Sequence, residues 1–192
     1  MRLVCPACRT VVFRQAPGKS GKGRALPVPE DMTPLRIGTT GRLGGRPFGV
    51  MGRLRYTFAG GYQNWWALDW GDGAYGWLVE AYGDYAVVLP SALKPPAQSM
   101  ANTKPGKTHK FGDGVPYRTV ARDQNTGVRL EGELPGPGDE TTGFLSVELT
   151  GQTGDLLIVQ VHAGTRIAAF AGRRVAFDDL QPDQLRDLHE WT

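Results

Sequence analysis

The stretch from Arg46 to Pro90 limits what this chain can fold into more than any other. It holds four of the five Trp and five of the six Tyr of the 192-residue chain, and glycines divide it into runs of strand length. Leu54 and Tyr56 fall on one side of such a run, whereas Arg53 and Arg55 fall on the other. Alternation with a period of two marks a half-buried strand. Residues 35–90, which contain this stretch, are therefore predicted to form a meander of about five short β-strands.

A second, weaker copy of this pattern follows the first. Residues 45–53 resemble 114–122, residues 76–80 resemble 143–148, and residues 83–88 resemble 154–159. Three matches in the same order indicate a duplicated β-unit. The high Gly and Pro content, 27 and 14 residues, disfavours helices and supplies turns. Because one such unit is marginally stable alone, we expect a mainly β fold of two related small barrels or curled sheets packed together.

The same patterns divide the chain into four segments. They are a degenerate zinc-ribbon-like hairpin with a basic linker (1–34), the first β-unit (35–90), a second linker (91–106) and the second β-unit (107–192). The second unit is expected to end with strands over 165–170 and 173–177. A short C-terminal helix should follow, with Pro182 in its first turn and Leu185 and Leu188 on one face.

Cys5 and Cys8 form a Cys-x-x-Cys turn, which is half of a zinc ribbon. The partner pair is expected about 15–20 residues later, where this chain has neither Cys nor His. His109, His162 and His189 are distant along the chain. Three interpretations stay open: a ribbon without metal, a zinc shared across a dimer or completed by a distant His, and a redox pair. No cofactor other than such a zinc is expected.

The first third of the chain is strongly basic. Residues 1–68 hold eleven Lys and Arg and two acids, whereas residues 69–192 hold eleven Lys and Arg and seventeen acids. A basic region steers anionic partners towards itself. The alternative is a solvated loop that is basic without a role in binding.

Trp65 and Trp66 point to opposite sides of a strand, so we expect one of them near the surface. Most of the aromatic rings fill the core. An exposed ring beside arginines could stack on a base or anchor a protein partner. The candidate binding residues are Arg36, Arg42, Arg46, Arg53, Arg55, Asn64, Trp65 and Trp66.

Residues suited to catalysis are sparse. None of the three His lies in a recognisable nucleophile motif. Glu131 and Glu133 share one side of a predicted strand, at a spacing that could suit glycoside hydrolysis. We expect them instead to pair with arginines of the second unit: Arg118, Arg122 or Arg129. The chain is therefore predicted not to be an enzyme.

Six short motifs in order make the chain resemble a bacterial family, DUF4178, a domain of unknown function. They are Ile37-Gly38, Phe48-x-Val50-x-Gly52-Arg53, Asn64-Trp65-Trp66, Trp77-Leu78-x-Glu80, the segment from Glu131 to Pro135, and the segment from Gly172 to Leu180. The resemblance covers roughly residues 35–190 and implies no established activity.

What the resemblance implies is limited. Family members often carry a complete N-terminal zinc ribbon, of which this chain keeps Cys5 and Cys8. The family often has Glu beside its Trp, where this chain has Asn64, so a role of that acid does not transfer. Relatives are encoded near phage-shock-type membrane-stress and polyamine-synthase-like proteins, which implies an accessory role at the bacterial membrane.

These observations predict a non-enzymatic interaction or adaptor protein with a protein partner. The alternative is a single-stranded nucleic-acid binder that uses the same basic, Trp-bearing face. A weaker alternative is an enzyme whose site lies in the cleft between the two β-units. The sequence shows no signal peptide and no apolar run long enough to span a bilayer, so a cytoplasmic location is expected. It does not predict the oligomeric state.

Overall fold

A computed structural model of the chain describes residues 1–16, 19–112, 114–136, 143–163 and 166–188. The fold is mainly β, as predicted, with one short helix, α1 (Ala97–Ala101), and a 3₁₀ turn at Asp178–Leu180. No helix in these ranges is long and apolar enough to cross a membrane. The strands are β1 (Arg2–Val4), β2 (Thr10–Ala16), β3 (Lys19–Arg24), β4 (Thr40–Leu43), β5 (Arg46–Phe58), β6 (Gly61–Asp69), β7 (Tyr75–Ala81), β8 (Asp84–Pro90), β9 (Thr108–Lys110), β10 (Pro116–Gln124), β11 (Gly127–Leu134), β12 (Leu145–Thr150), β13 (Asp155–Val161) and β14 (Ile167–Val175).

The described strands form a 14-stranded antiparallel sheet. Its order is β3-β2-β1-β11-β5-β6-β7-β8-β14-β13-β12-β10-β9, and β4 pairs with β5 off this path. The predicted five-strand meander of the first β-unit is present as β4 to β8, with its turns at the expected glycines. Strand β11 leaves its sequence neighbours and pairs with β5 and β1. We therefore use "first unit" for β4–β8 and "second unit" for β9, β10 and β12–β14.

The strands of the two units follow matching orders in the sheet, running outward from the pair β8–β14. Strands β5-β6-β7-β8 of the first correspond in order to β10-β12-β13-β14 of the second, and the last strands, β8 and β14, pair antiparallel. The β5–β6 ladder is bulged at Met51 and the β10–β12 ladder at Val120, positions that the first sequence match aligns. The other two sequence matches align β7 with β12 and β8 with β13, whereas the order in the sheet makes β7 correspond to β13 and β8 to β14. The shift by one strand arises because β11 pairs with β5, so that β10 pairs with β12 instead.

Apolar side chains cover both faces of the sheet. One core lies between the units and contains Trp65 and Trp77 from the first and Phe144 and Ile158 from the second. A second core, containing Trp66, lies on the outer face of the first unit, where Leu180 packs against it. A third core lies on the outer face of the second unit beneath Met100 of α1.

The expectation that Trp65 or Trp66 is near the surface is wrong. Their side chains point to opposite faces, as predicted, but the residues are 1% and 0% exposed. Each face of β6 carries its own core, so both rings are buried. The prediction assumed a half-buried strand, whereas this strand is buried on both faces.

The predicted break within 165–177 is also wrong. The described residues form one strand, Ile167–Val175, which runs through Gly172 (Thr165 lies outside the described ranges). A Cβ on Gly172 would lie 1.9 Å from the backbone oxygen of Val87 in β8. This glycine therefore allows two strands to approach closely, not a turn.

The predicted C-terminal helix is replaced by irregular chain over the residues that are described. After the 3₁₀ turn, Asp183 forms an antiparallel bridge with Thr40, and the Arg186 amide donates to the Pro34 oxygen. The backbone thus pairs with other segments instead of with itself. Gln184 has a left-handed φ of 56°. His189 and the residues after it lie outside the described ranges.

Candidate functional site

The predicted arginine face is largely an internal ion-pair network. Arg53 and Arg55 are 3% and 4% exposed. Both donate to Asp31, whose side chain is 1% exposed, with Arg53 Nη1 at 3.2 Å from Asp31 Oδ2. Arg53 Nε also donates to Glu131 Oε1 at 2.6 Å, and Arg186 Nη1 lies 3.6 Å from Asp31 Oδ1. These arginines bind carboxylates of their own chain.

Polar side chains of β6 and β7 continue this network. Arg55 Nε donates to Asn64 Oδ1 at 2.9 Å, and Asn64 Nδ2 donates to Asp31 Oδ2 at 2.9 Å and to Glu80 Oε2 at 3.0 Å. Trp66 Nε1 also donates to Glu80 Oε2, at 2.9 Å. Burial lowers the pKa of Arg55, against the effect of the Asp31 charge. Asn64 and Trp66 thus take part in internal hydrogen bonding.

The remaining predicted arginines are exposed and spread along the surface. Arg36 Nε donates to the Gln184 oxygen at 2.8 Å, and Arg42 Nη1 donates to the Gly45 oxygen at 3.4 Å. Arg46 pairs with Asp72 at 2.6 Å and stands over the Trp70 ring. The eight predicted residues therefore do not form one continuous binding face.

The predicted arginine partners are wrong for Glu131, while those of Glu133 stay a prediction. Glu131 binds Arg53 of β5 because β11 pairs with β5 rather than with the strands of the second unit. Gly132, between the two glutamates, has φ +71°, and a Cβ there would lie 2.5 Å from the Met51 oxygen. The close approach of β5 therefore leaves no space for a side chain between Glu131 and Glu133.

Both described histidines are buried. His109 belongs to β9, and its Nε2 lies 2.7 Å from Thr103 Oγ1. Burial, with a contribution from Lys107, lowers the His109 pKa. His162 is 9% exposed, and its ring lies 5.2 Å from that of Phe144.

Cys5 and Cys8 occupy the turn between β1 and β2, and both are free thiols. The predicted hairpin is present, extended by β3 within the segment expected to be a linker. Within the described ranges, no group of three or more His, Cys, Asp or Glu could hold a metal ion. The ribbon without metal, the zinc shared across a dimer or completed by a distant His, and the redox pair all stay predictions.

The cleft between the two units contains a cavity of about 350 Å³. Pockets for small molecules typically occupy about 300–1,000 Å³. Strands β5 to β7 line one side, β13 and β14 line the other, and the connections after β8 and β11 contribute further residues. The lining residues are Leu54, Tyr56, Trp65, Tyr75, Trp77, Pro90, Ser91, Ala92, Leu93, Lys94, Pro135, Gly136, Gln160, His162, Arg166, Ile167, Ala168, Ala169 and Phe170.

Aromatic rings pack against one another along the inner wall of this cavity. The Trp65 ring lies 5.0 Å from Phe170, 5.7 Å from Tyr56 and 6.1 Å from Trp77, all with edge-to-face geometry. Such contacts hold large side chains in defined positions. Because Leu54 and Trp65 are 1% exposed, the cavity reaches into the core between the units. The wall suits an apolar or aromatic group.

Gln160 is the most informative polar residue in the cavity. It is 4% exposed, and its Nε2 has no hydrogen-bond partner among the described residues. Buried polar groups in proteins are nearly always hydrogen-bonded, so an unpaired one calls for an explanation. His162 is the other buried polar residue of the lining, whereas Lys94 and Arg166 are exposed.

The sequence contains one signal for this site that the predicted binding residues did not include. Gln160 interrupts the apolar run Leu156–Val161 on the side that carries Leu156 and Ile158. A polar residue at a core position breaks the apolar pattern of the strand, and such a break indicates a functional residue. The sequence suggested the cleft only as a place for an enzyme site, without residues, because they come from strands far apart in the chain.

Comparison with known families gives a match to one of them. The family model for a domain of unknown function, DUF4178, matches residues 36–177, which begin after the N-terminal hairpin and include β4 through β14. The chain therefore belongs to this family, as its motifs indicated. Comparison with curated proteins gave no match, and neither did comparison with solved structures.

Proposed function

We propose that this member of the DUF4178 family is a non-enzymatic interaction protein that holds an apolar group of its partner molecule in the cavity between the two β-units. The observation that carries the proposal is the unpaired, buried Gln160 amide in an aromatic-lined cavity. A bound group with a hydrogen-bond acceptor would satisfy that amide.

The other contacts predicted from the sequence support the proposal less well. Stacking of nucleic-acid bases needs accessible rings, and both rings of the Trp65-Trp66 pair are buried. Arg53 and Arg55 have carboxylate partners of their own. The interaction site that we propose therefore differs from the arginine face, although the class of function is the one expected.

A neutral fluorescent probe tests the proposal. N-phenyl-1-naphthylamine should bind the purified protein, with a rise in probe emission and quenching of Trp65 and Trp77, which line the cavity. Ala168 pairs with Gln160 across β13 and β14 and also lines the cavity. Ala168→Phe should fill the space and weaken probe binding at least about tenfold, which corresponds to about 1.4 kcal/mol.

The matched control adds a ring elsewhere. Val120 is 44% exposed on β10, so Val120→Phe should leave probe binding unchanged. Circular dichroism of both variants verifies the fold. The proposal fails if the unmodified protein does not bind the probe, or if folded Ala168→Phe binds it as tightly.

A further inference from the structure

The turn between β1 and β2 brings two free thiols together. The backbone oxygen of Cys5 accepts a hydrogen bond from the Arg9 amide at 2.8 Å, which closes an α-turn. Side chains three positions apart lie on the same side of such a turn, with Cβ atoms about 5–6 Å apart. The Cys8 side chain, three positions after Cys5, forms a hydrogen bond with the Cys5 side chain. The two sulfur atoms therefore face each other.

This spacing suits a disulfide that forms and breaks. Residues three apart in one helical turn have Cα atoms about 5 Å apart, within the roughly 4.4–6.8 Å that disulfides join. Their Cβ atoms are about 1 Å further apart than a disulfide prefers. Strained or exposed disulfides are easily reduced. The turn between β1 and β2 thus favours a reversible dithiol over a permanent crosslink.

Cys8 is the better placed of the two thiols to react first. Cys8 is exposed, whereas Cys5 is partly buried. Cys8 Sγ lies 3.2 Å from Thr10 Oγ1. Because a hydroxyl can rotate so that it donates instead of accepting, Thr10 can stabilise the Cys8 thiolate. Reactive thiolates often depend on a helix N-terminus or a nearby cation, and in this hairpin the Thr10 hydroxyl supplies the stabilising contact.

We propose that Cys5 and Cys8 form a redox-active dithiol that reduces external disulfides by thiol–disulfide exchange. The Cys8 thiolate attacks one sulfur of the external disulfide, the S–S bond of that disulfide breaks, and its other half leaves as a thiolate. The Cys5 thiol then loses its proton to water and attacks the Cys8 sulfur of the mixed disulfide, which releases the second half. The protein gives two electrons to the external disulfide, which becomes two thiols. This reaction does not depend on the cavity between the two units.

Glutathione disulfide tests the reaction on the reduced, full-length protein in oxygen-free buffer with a chelator. Samples are quenched with acid, alkylated with iodoacetamide and analysed by mass spectrometry. Cys5 and Cys8 should lose their alkylation together as a disulfide forms between them, with two glutathione molecules released per chain and no lasting adduct. Dithiothreitol should restore both alkylation sites.

Two serine variants separate the roles of the thiols. Cys5→Ser should stop at a stable mixed disulfide on Cys8, because the second thiol is missing. Cys8→Ser should form its adduct at least about tenfold more slowly, because the remaining thiol is partly buried and lacks the Thr10 contact.

A second pair of variants tests the role of the hydroxyl. Thr10→Val removes the group that stabilises the Cys8 thiolate, so it should slow formation of the mixed disulfide. The matched control is Val12→Thr, at an exposed position of the same strand, which should leave the rate unchanged. Circular dichroism verifies that all the variants fold.

A Gly/Ser peptide closed by a disulfide distinguishes two sources of the external disulfide. Faster reaction with the peptide than with glutathione disulfide assigns the dithiol to polypeptide disulfides, and the reverse order assigns it to small molecules. Either order supports the exchange reaction.

Other outcomes overturn the proposal. These are a lasting glutathione adduct on the unmodified protein, disulfides that form only between chains, and equal rates of adduct formation for Cys5→Ser and Cys8→Ser. Zinc held by both thiols in the purified protein, measured by metal analysis, would also refute it. Binding of the naphthylamine probe is measured separately, so failure of the exchange reaction leaves the proposed function of the cavity standing.

Discussion

At the scale of single residues, Asp31 connects the chain before the first unit to the sheet. Its carboxylate accepts from Arg53 and Arg55 of β5 and from Asn64 of β6. The backbone oxygen of Asp31 accepts from Arg186 Nη1 at 3.1 Å, so the C-terminal segment joins at the same place. Asp31 thus holds two irregular segments, its own and the C-terminal one, against β5 and β6.

Asp31→Asn should destabilise the protein by about 3–5 kcal/mol, because it removes the carboxylate that the buried Arg55 binds and leaves Arg53 with Glu131 as its remaining carboxylate partner. Urea denaturation followed by Trp emission measures the loss. Asp72→Asn is the matched control, since Asp72 pairs with Arg46 at the exposed surface, and exposed pairs contribute little. Equal midpoints for both variants would contradict the assigned role of Asp31.

Cys8 should react as a thiolate near neutral pH. Hydrogen bonds from the Thr10 side chain and backbone, together with one from Cys5, lower the Cys8 pKa from 9.0 to about 7. Because the thiolate is the nucleophile, alkylation of Cys8 by iodoacetamide should reach half its maximal rate near pH 7. Thr10→Val should move this midpoint upward, towards the ordinary thiol value. A midpoint near 9 in the unmodified protein would refute the prediction.

At the scale of elements, the contact of β8 with β14 joins the two units. Gly172 pairs with Val88 on one side and with Leu156 on the other. Its missing side chain allows the close approach of the Val87 carbonyl. Gly52 has the same role where β5 meets β11, since a Cβ there would lie 2.1 Å from the Glu133 oxygen.

Gly172→Ala should therefore destabilise the protein by about 3 kcal/mol, through overpacking at the strand contact. The measurement is the shift of the denaturation midpoint at unchanged slope. Gly49→Ala is the control: Gly49 lies in β5, and a Cβ there has open space. That change should be neutral or mildly stabilising, because Gly weakens a strand interior. A smaller loss for Gly172→Ala than for Gly49→Ala would contradict the packing argument.

At the scale of the whole molecule, the two units depend on one another. The first unit takes β11 from the sequence of the second on one edge and pairs with β14 on the other. The core between the units draws residues from both, including Trp65, Trp77, Phe144 and Ile158. On that face, the described residues of the two units form one shared core.

A fragment of residues 35–95 should consequently remain unfolded, although it contains the most regular part of the sequence. Circular dichroism and amide chemical-shift dispersion would show this directly, with the full-length protein as the reference. The expected result is no cooperative thermal transition in the fragment. A cooperative transition would show that β4 to β8 are stable without β11 and β14.

The sequence by itself determined the strands of the first unit and the turns between them. Alternating side chains and glycine turns each depend on a few consecutive residues, so they are recognisable in the local sequence. The mainly β class follows from the same patterns. The match between Met51 and Val120 also holds, because both positions are bulges in their strand pairs.

Only the tertiary structure decided which strands become neighbours and which faces are covered. The placement of β11 beside β5 changed the partner of Glu131 and shifted two repeat matches by one strand. Covering both faces of β6 buried Trp65 and Trp66 together. The cavity likewise combines Trp65 and Trp77 with Gln160 from another strand pair. Each of these outcomes depends on contacts between residues far apart in the chain, which no local pattern encodes.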